Sequence, residues 1–368
     1  ELNFDKTLED FVKDGAIEAD GEDDTYAIVI YWEPSAVDND YNLNNGKESS
    51  DGDPLFIDLG VSLVATQNTV ENDSFGNDYD AGAAYPIANA DELAVALAKG
   101  NSVVLIDDID LSGTTWTSIK NYKGTFDGND HSIIGLNGTN GLFANLSDGA
   151  IIKNLRIDNA VINGTNNGTG ILAGRISGNV TVEKVTVSGS IINTSYYTGG
   201  MVGAITNWGN SEAVVKITDC TNNATVTGNS HQAGGLVGTA YANTVFTNCV
   251  NTGNVSESGG YGAGGICGFA SGYSTSTIAP TFINCENSGN ITSSRSGGIC
   301  GSLGIEGGMG YYDLTATFGN CVNTGIVSQA KDICDFKVNY SGQSTDNLTI
   351  IIINDGDIDE NDIPDPFS

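Results

Sequence analysis

A five-residue phrase recurs along the second half of this chain. It reads Gly199-Gly200-Met201-Val202-Gly203, Gly234-Gly235-Leu236-Val237-Gly238, Gly264-Gly265-Ile266-Cys267-Gly268 and Gly297-Gly298-Ile299-Cys300-Gly301. A second phrase alternates with it: Thr218-Asp219-Cys220-Thr221-Asn222, Thr247-Asn248-Cys249-Val250-Asn251, Ile283-Asn284-Cys285-Glu286-Asn287 and Gly319-Asn320-Cys321-Val322-Asn323. Repetition at about 30 residues means one supersecondary unit stacked on copies of itself, a solenoid. Such a chain is first an extended surface, and its function must be argued from a site rather than from the fold.

A unit of this length holds two or three short strands separated by turns. Segments such as Val180-Thr181-Val182-Glu183-Lys184-Val185-Thr186-Val187 alternate between an inward and an outward side. The fold that satisfies both is an all-β, right-handed parallel β-helix. A β-propeller blade needs about 40 residues and four hairpin-linked strands, so these units are too short for it. Gly and Tyr cluster in Ser256–Gly262 and Gly272–Thr277, which predicts loops there.

Stacking places like residues on like. Cys220, Cys249, Cys285 and Cys321 are spaced 29, 36 and 36 residues apart, matching the repeat, and form an expected column of buried thiols. Stacked strands are about 4.8 Å apart, close enough for disulfides as well. Zinc is disfavoured, because Cys-x-x-Cys is absent and His131 and His231 are the two histidines. Asn222, Asn251, Asn287 and Asn323 share one register; an Asn there is expected to accept positive φ and to bond its amide to the Asn above, giving a ladder.

Residues 1–84 lack both phrases and are acidic. Thr25–Trp32 and Leu55–Thr66 read as strands, too few to close a sandwich, so the segment reads as a partial β-sandwich whose beginning is missing. Asn89, Glu92, Leu93, Leu97 and Gly100 mark a short amphipathic helix with a cap at each end, placed to cover the open end of the first coil. The solenoid is expected over 85–345. Residues 346–368 form a terminal strand, Asn347–Ile353, and an acidic tail.

The glycine phrases resemble the GLUG motif of bacterial surface proteins. Asp91–Leu136, with Gly124-Thr125-Phe126-Asp127-Gly128, resembles the opening coil commonly joined to such repeats. That resemblance covers about 86–330 and implies a β-helix in a cell-surface context. Leu59–Gln67 followed by Glu71–Asp80 resembles the C-terminal part of the TasA and camelysin family of secreted fibre proteins of Gram-positive bacteria, over roughly 20–84. It implies a matrix or fibre module and no catalytic residue.

Net charge is −32, from 46 acidic and 14 basic residues, which excludes a phosphate-backbone partner. No run of 18 apolar residues predicts a membrane-inserted helix. Asp38, Asp40 and Asn42, and likewise Asp355, Asp357 and Asp359, alternate oxygen ligands as Ca²⁺ loops do, although Gly is missing at the sixth loop position. Tyr196, Tyr197, Trp208, Tyr241, Tyr261 and Tyr273 fall near the glycine phrases or in loops and form a candidate aromatic face for sugars or a protein partner. A polysaccharide hydrolase needs paired carboxylates on adjacent rungs, and a lyase needs Arg or Lys beside carboxylates. Asp127, Asp130 and His131 cluster in a turn, but Arg156, Arg175 and Arg295 share no register with an acidic pair. The resulting expectation is a secreted or wall-associated surface protein without catalysis. It would act in adhesion or an extracellular matrix, with glycans or matrix proteins as partners and Ca²⁺ as the one cofactor to test. The alternative is a β-helix polysaccharide lyase or hydrolase.

Overall fold

Asn89 opens the described chain's helix, Ala90–Ala98: its side chain accepts from Glu92 N at 3.0 Å. Glu92 Oε2 in turn accepts from Ala88 N at 2.9 Å, so two orphan donors are satisfied reciprocally. Leu93 and Leu97 turn inward and join the same apolar core as Ile87 and Val103. The computed structural model describes residues 84–207, 213–241, 243–271, 278–305, 314–328, 333–334, 337–339 and 348–353, all within one compact unit. All but the last residue of the expected segment 1–84, and the acidic tail, lie outside the described residues.

After the helix strand is the dominant element of the described chain, and every strand pairing in it is parallel, as expected for an all-β solenoid. Three sheets run side by side along the stack, of 20, seven and four strands among the described residues. The longest takes in the rungs Ile151–Gly164 and Val180–Asn193, then the broken rungs after them, such as Val215–Thr218, Thr221–Asn222 and Thr225–Gly228. The seven-strand sheet carries the end of each glycine phrase, pairing Val202 with Val237, Val237 with Cys267, and Cys267 with Cys300. The four-strand sheet aligns Thr198, Ala233, Ala263 and Ser296. Leu348–Ile353 pairs with Leu314–Gly319, so the long sheet continues past the expected boundary at 345.

The core fills the space between the sheets with columns. Phe246, Phe282 and Phe318 stack with centroids 4.8 and 4.7 Å apart and planes 3° from parallel. Each buried ring contributes on the order of 2–3 kcal/mol by leaving water, and each stack adds about 1 kcal/mol. The first coils do without such a column. Tyr122, Phe126 and Phe143 meet there as one stacked and one edge-on pair. Tyr122 Oη donates to Asn101 O and Thr125 O at 2.9 and 3.0 Å, and burial raises its pKa.

Candidate functional site

The two repeated phrases meet in space. Asn222 Nδ2 donates to Asn251 Oδ1 at 2.7 Å, Asn251 to Asn287 at 2.7 Å, and Asn287 to Asn323 at 2.6 Å. The other Nδ2 proton of each goes to a carbonyl two residues on, Ala224, Gly253, Gly289 or Gly325, at 2.8–3.1 Å. Donors and acceptors inside the stack are thereby matched, which is the condition for burying amides at all. The second glycine of the other phrase leaves room for this ladder. A Cβ on Gly235 would lie 2.4 Å from the Asn251 side chain and 1.9 Å from Gly265 O.

The backbone of these asparagines differs from expectation. Positive φ belongs not to them but to Asp219, Asn248, Asn284 and Asn320, three residues earlier, at 49–53°. In the preceding rungs the matching positions are Asn154 and Lys184, also left-handed. The chain turns a corner there, and a left-handed residue makes the bend between two strand segments. The ladder asparagines lie within strand pairs, where an extended backbone is required. The corner residues form a ladder of their own: Asn248 Nδ2 donates to Asp219 Oδ1 at 2.9 Å and Asn284 Nδ2 to Asn248 Oδ1 at 3.1 Å.

Cys220, Cys249, Cys285 and Cys321 stack inside this corner, buried as thiols. Each donates to the carbonyl two residues back at 3.2–3.4 Å. Burial pushes the Cys220 thiol up to about 12 and the Cys285 thiol well up.

Outside the ladder lies the broadest candidate surface. Asn223, Thr252, Ser288 and Thr324 follow the ladder residues, and Thr252 Oγ1 donates to Asn223 Oδ1 at 2.7 Å. Thr225, Asn254 and Asn290 form the next exposed column, with Asn290 N donating to Asn254 Oδ1 at 3.0 Å. Thr227, Ser256 and Thr292 form a third, with Ser256 Oγ 3.3 Å from Thr227 Oγ1. Across 213–305 formal charge is carried by Asp219, Glu257, Glu286, Lys216 and Arg295, and Glu257 is buried. The outcome is a nearly neutral grid of hydroxyl and amide groups at strand spacing. The sequence signal for it is the polar residue in every second position of the second phrase and its continuation.

Of the aromatic candidates, Tyr196, Tyr197, Tyr241 and Tyr261 come together, while Trp208 and Tyr273 lie outside the described residues. His231, not foreseen in this role, completes the group. Its ring lies 3.8 Å from Tyr196 and 3.9 Å from Tyr261, nearly parallel to the latter. Tyr197 and Tyr241 pair edge to face at 6.2 Å, and Tyr241 meets Phe269 at 6.0 Å. His231 and Tyr261 cover one face of each other, while the remaining pairs meet tilted or edge-on. The loop carrying Tyr261 is held by Glu257, whose Oε2 accepts from Gly260 N, Tyr261 N and Ser293 Oγ at 3.0, 3.2 and 2.7 Å.

Charge gathers on the first coils instead. Asp127 Oδ2 pairs with Lys153 at 3.1 Å and its Oδ1 accepts from Asn154 and from Asn129 N. Partial burial opposes ionisation of Asp127, but these donors and Lys153 outweigh it and hold its pKa below the usual value. His131 pairs with Asp108 at 3.4 Å, and Arg156 with Asp158 at 3.2 Å. Asp127 and His131 thus have separate partners. Among the described residues no group of three or more His, Cys, Asp and Glu side chains is arranged to hold a metal. The Ca²⁺ candidates Asp38, Asp40, Asn42, Asp355, Asp357 and Asp359 lie outside the described residues. No helix among the described residues is long and apolar enough to cross a membrane.

No family model matches the chain. It is 36% identical over 129 residues to Halomucin of Haloquadratum walsbyi, across 30% of this chain but about 1% of that protein. Its fold is shared with a candidate immunoglobulin A1 protease from Bacteroides ovatus, with a TM-score of 0.53, 21% identity, and coverage of 73% of this chain and 84% of that one. It is shared also with an IgA1 protease at a TM-score of 0.50 and 17% identity, over 69% of this chain and 21% of that one. At these identities the likeness establishes the fold. It also corrects the expectation that the chain lacks catalysis, since solved proteins that share this architecture are named as proteases.

Proposed function

We propose that this chain is the ligand-presenting solenoid of a secreted or wall-associated surface protein of the GLUG type, from a Gram-positive bacterium. It acts in adhesion or in an extracellular matrix, with the TasA-like segment as a matrix module. The coils wind to the right, the hand that parallel strand connections adopt almost always. The helix Ala90–Ala98 covers the open end of the first coil, where Leu93 and Leu97 join the core. The reading is carried by the neutral grid of Asn223, Thr252, Thr225, Asn254, Thr227 and Ser256. A hydroxyl and amide grid with little charge matches neutral polyhydroxylated ligands, which means glycans. Partial identity to a protein named Halomucin and the architecture shared with IgA1 proteases support an extracellular setting.

The test is binding of the whole chain to immobilised neutral and acidic polysaccharides. Neutral glycans are expected to bind with little dependence on salt, since charge pairing contributes little. The double variant Thr225→Glu, Asn254→Glu is expected to lose binding without loss of helix or strand signal. Equal binding by wild type and variant removes the grid from the function.

A second reading rests on the charged first coils. Asp127 with Lys153 and Asp158 with Arg156 place carboxylates beside basic groups, the combination a polysaccharide lyase uses. Incubation with polygalacturonate, other glycans and immunoglobulin A1 distinguishes the classes. Unsaturated or reducing products lost in Asp127→Ala support the glycan enzyme, and peptide cleavage supports a protease.

A further inference from the structure

The seven-strand sheet holds a second thiol column that the spacing of the first does not reveal. Cys267 begins the strand Cys267–Ser271 and Cys300 begins Cys300–Ile305, and the two are direct partners in the parallel register. Directly paired residues on adjacent parallel strands are about 4.8 Å apart, within the 4.4–6.8 Å Cα separation that a disulfide spans. Both side chains occupy the place filled by Val202 and Val237 in the coils before, so they point the same way into the core. Both are fully buried, and each donates to the carbonyl two residues on, Phe269 O at 3.2 Å and Ser302 O at 3.4 Å. The two side chains contact each other, and burial pushes the Cys267 thiol well up. Cys334 also reaches Cys300 from beyond.

The corner column is built differently. Its thiols lie between strand segments rather than at paired strand positions, and each also reaches a carbonyl of the previous coil at 3.3–3.7 Å. Their side chains also meet one another, Cys285 with Cys249 and with Cys321. Cys267 and Cys300 likewise touch the backbone of the previous coil, at Ala240 and Ala270, and differ in sitting at directly paired strand positions.

We propose that Cys267 and Cys300 are a covalent modification site, oxidised to a disulfide that staples two successive coils. A small-molecule disulfide such as oxidised glutathione supplies the oxidant. One of the two cysteine thiolates attacks it, releasing one glutathione thiolate and forming a mixed disulfide. The other then attacks the protein sulfur of that mixed disulfide and releases the second. Two protein protons are lost and two glutathione thiols form. Burial in the finished coil means that the exchange takes place before these rungs close.

The experiment refolds the whole chain in a glutathione redox buffer, unfolds it without reductant, and alkylates it with N-ethylmaleimide before intact-mass measurement. All but two of the seven thiols are expected to react. In Cys267→Ser and in Cys300→Ser every remaining thiol is expected to react, whereas Cys249→Ser and Cys334→Ser should each keep two protected. A serine at either position can still donate to the same carbonyl, so both variants should fold, and circular dichroism checks this. The oxidised wild type should melt about 5 °C above its reduced form, the effect of closing a loop of this length in a chain of this size. Full alkylation of the wild type, or protection that survives Cys267→Ser, overturns the proposal.

Discussion

The first coils and the later coils solve the same packing problem in different ways. From 84 to about 187, individual contacts prevail: Tyr122 against Phe143 in the core, and Asp127 with Lys153 and Arg156 with Asp158 at the surface. From 213 onward, identical residues meet identical residues: asparagine on asparagine, phenylalanine on phenylalanine, cysteine on cysteine. A ladder ties each coil to the next in a chosen register, because a slip of one residue would leave every amide unpaired. Individual contacts tie particular residues and tolerate unequal coils, which suits the start of a stack. The difference teaches that repetition in a solenoid is demanded by the buried polar column more than by the apolar one. Apolar residues interchange at inward positions such as Ile217, Phe246 and Phe282, yet the ladder asparagine does not change over four coils.

The contrast is broken most strongly by Phe282→Ala, which empties the middle of the phenylalanine column. The loss should be about 4 kcal/mol in urea unfolding. Next comes Asn251→Ala, at about 3 kcal/mol, since Asn222 Nδ2, Gly253 O and Asn287 Oδ1 all lose their partner at once. Hydrogen exchange should show the opening spreading to both neighbouring coils; loss confined to one coil would count against a cooperative ladder. Asn248→Val should cost about 2 kcal/mol because a branched residue is forced to positive φ, while Asn248→Gly should stay within about 0.5 kcal/mol.

The first coils should lose less than the ladder and column variants do. Asp127→Asn should cost about 1 kcal/mol at pH 7. The folded pKa of Asp127 is depressed, so its contribution is present above the unfolded value near 3.9 and is lost as pH falls through the folded one. The melting-temperature gap between wild type and variant should therefore be full at pH 7 and close as pH falls below the unfolded value. A gap that persists at the acid end would show that the effect is not ionic.

Much of this could be read from residue order. Gly234-Gly235 and Cys249-Val250-Asn251 repeat with the coil, and that period alone implies stacking and an amide column at Asn251. The helix at 90–98 was legible because Asn89 and Glu92 are local signals. Left-handed φ was assigned to the wrong asparagine because Asn248 and Asn251 are both plausible turn residues, and only the position of the corner tells them apart. His231 was missed as a ring partner because its neighbours, Tyr196 and Tyr261, are 35 and 30 residues away and belong to coils of unequal length.

What residue order determined by itself is the rung: its length, its inward side and the residues that must face their own copies. These are local or periodic properties, and each coil states them again. What the tertiary structure alone decided is which phrase lies against which. Gly235 leaves space for Asn251 across the coil, and Cys267 falls opposite Cys300 although the spacing of the corner cysteines gives no hint of it. Those meetings depend on the circumference of the coil and on where it turns. Both are set by the summed packing of three sheets around one core, and no single repeat contains them.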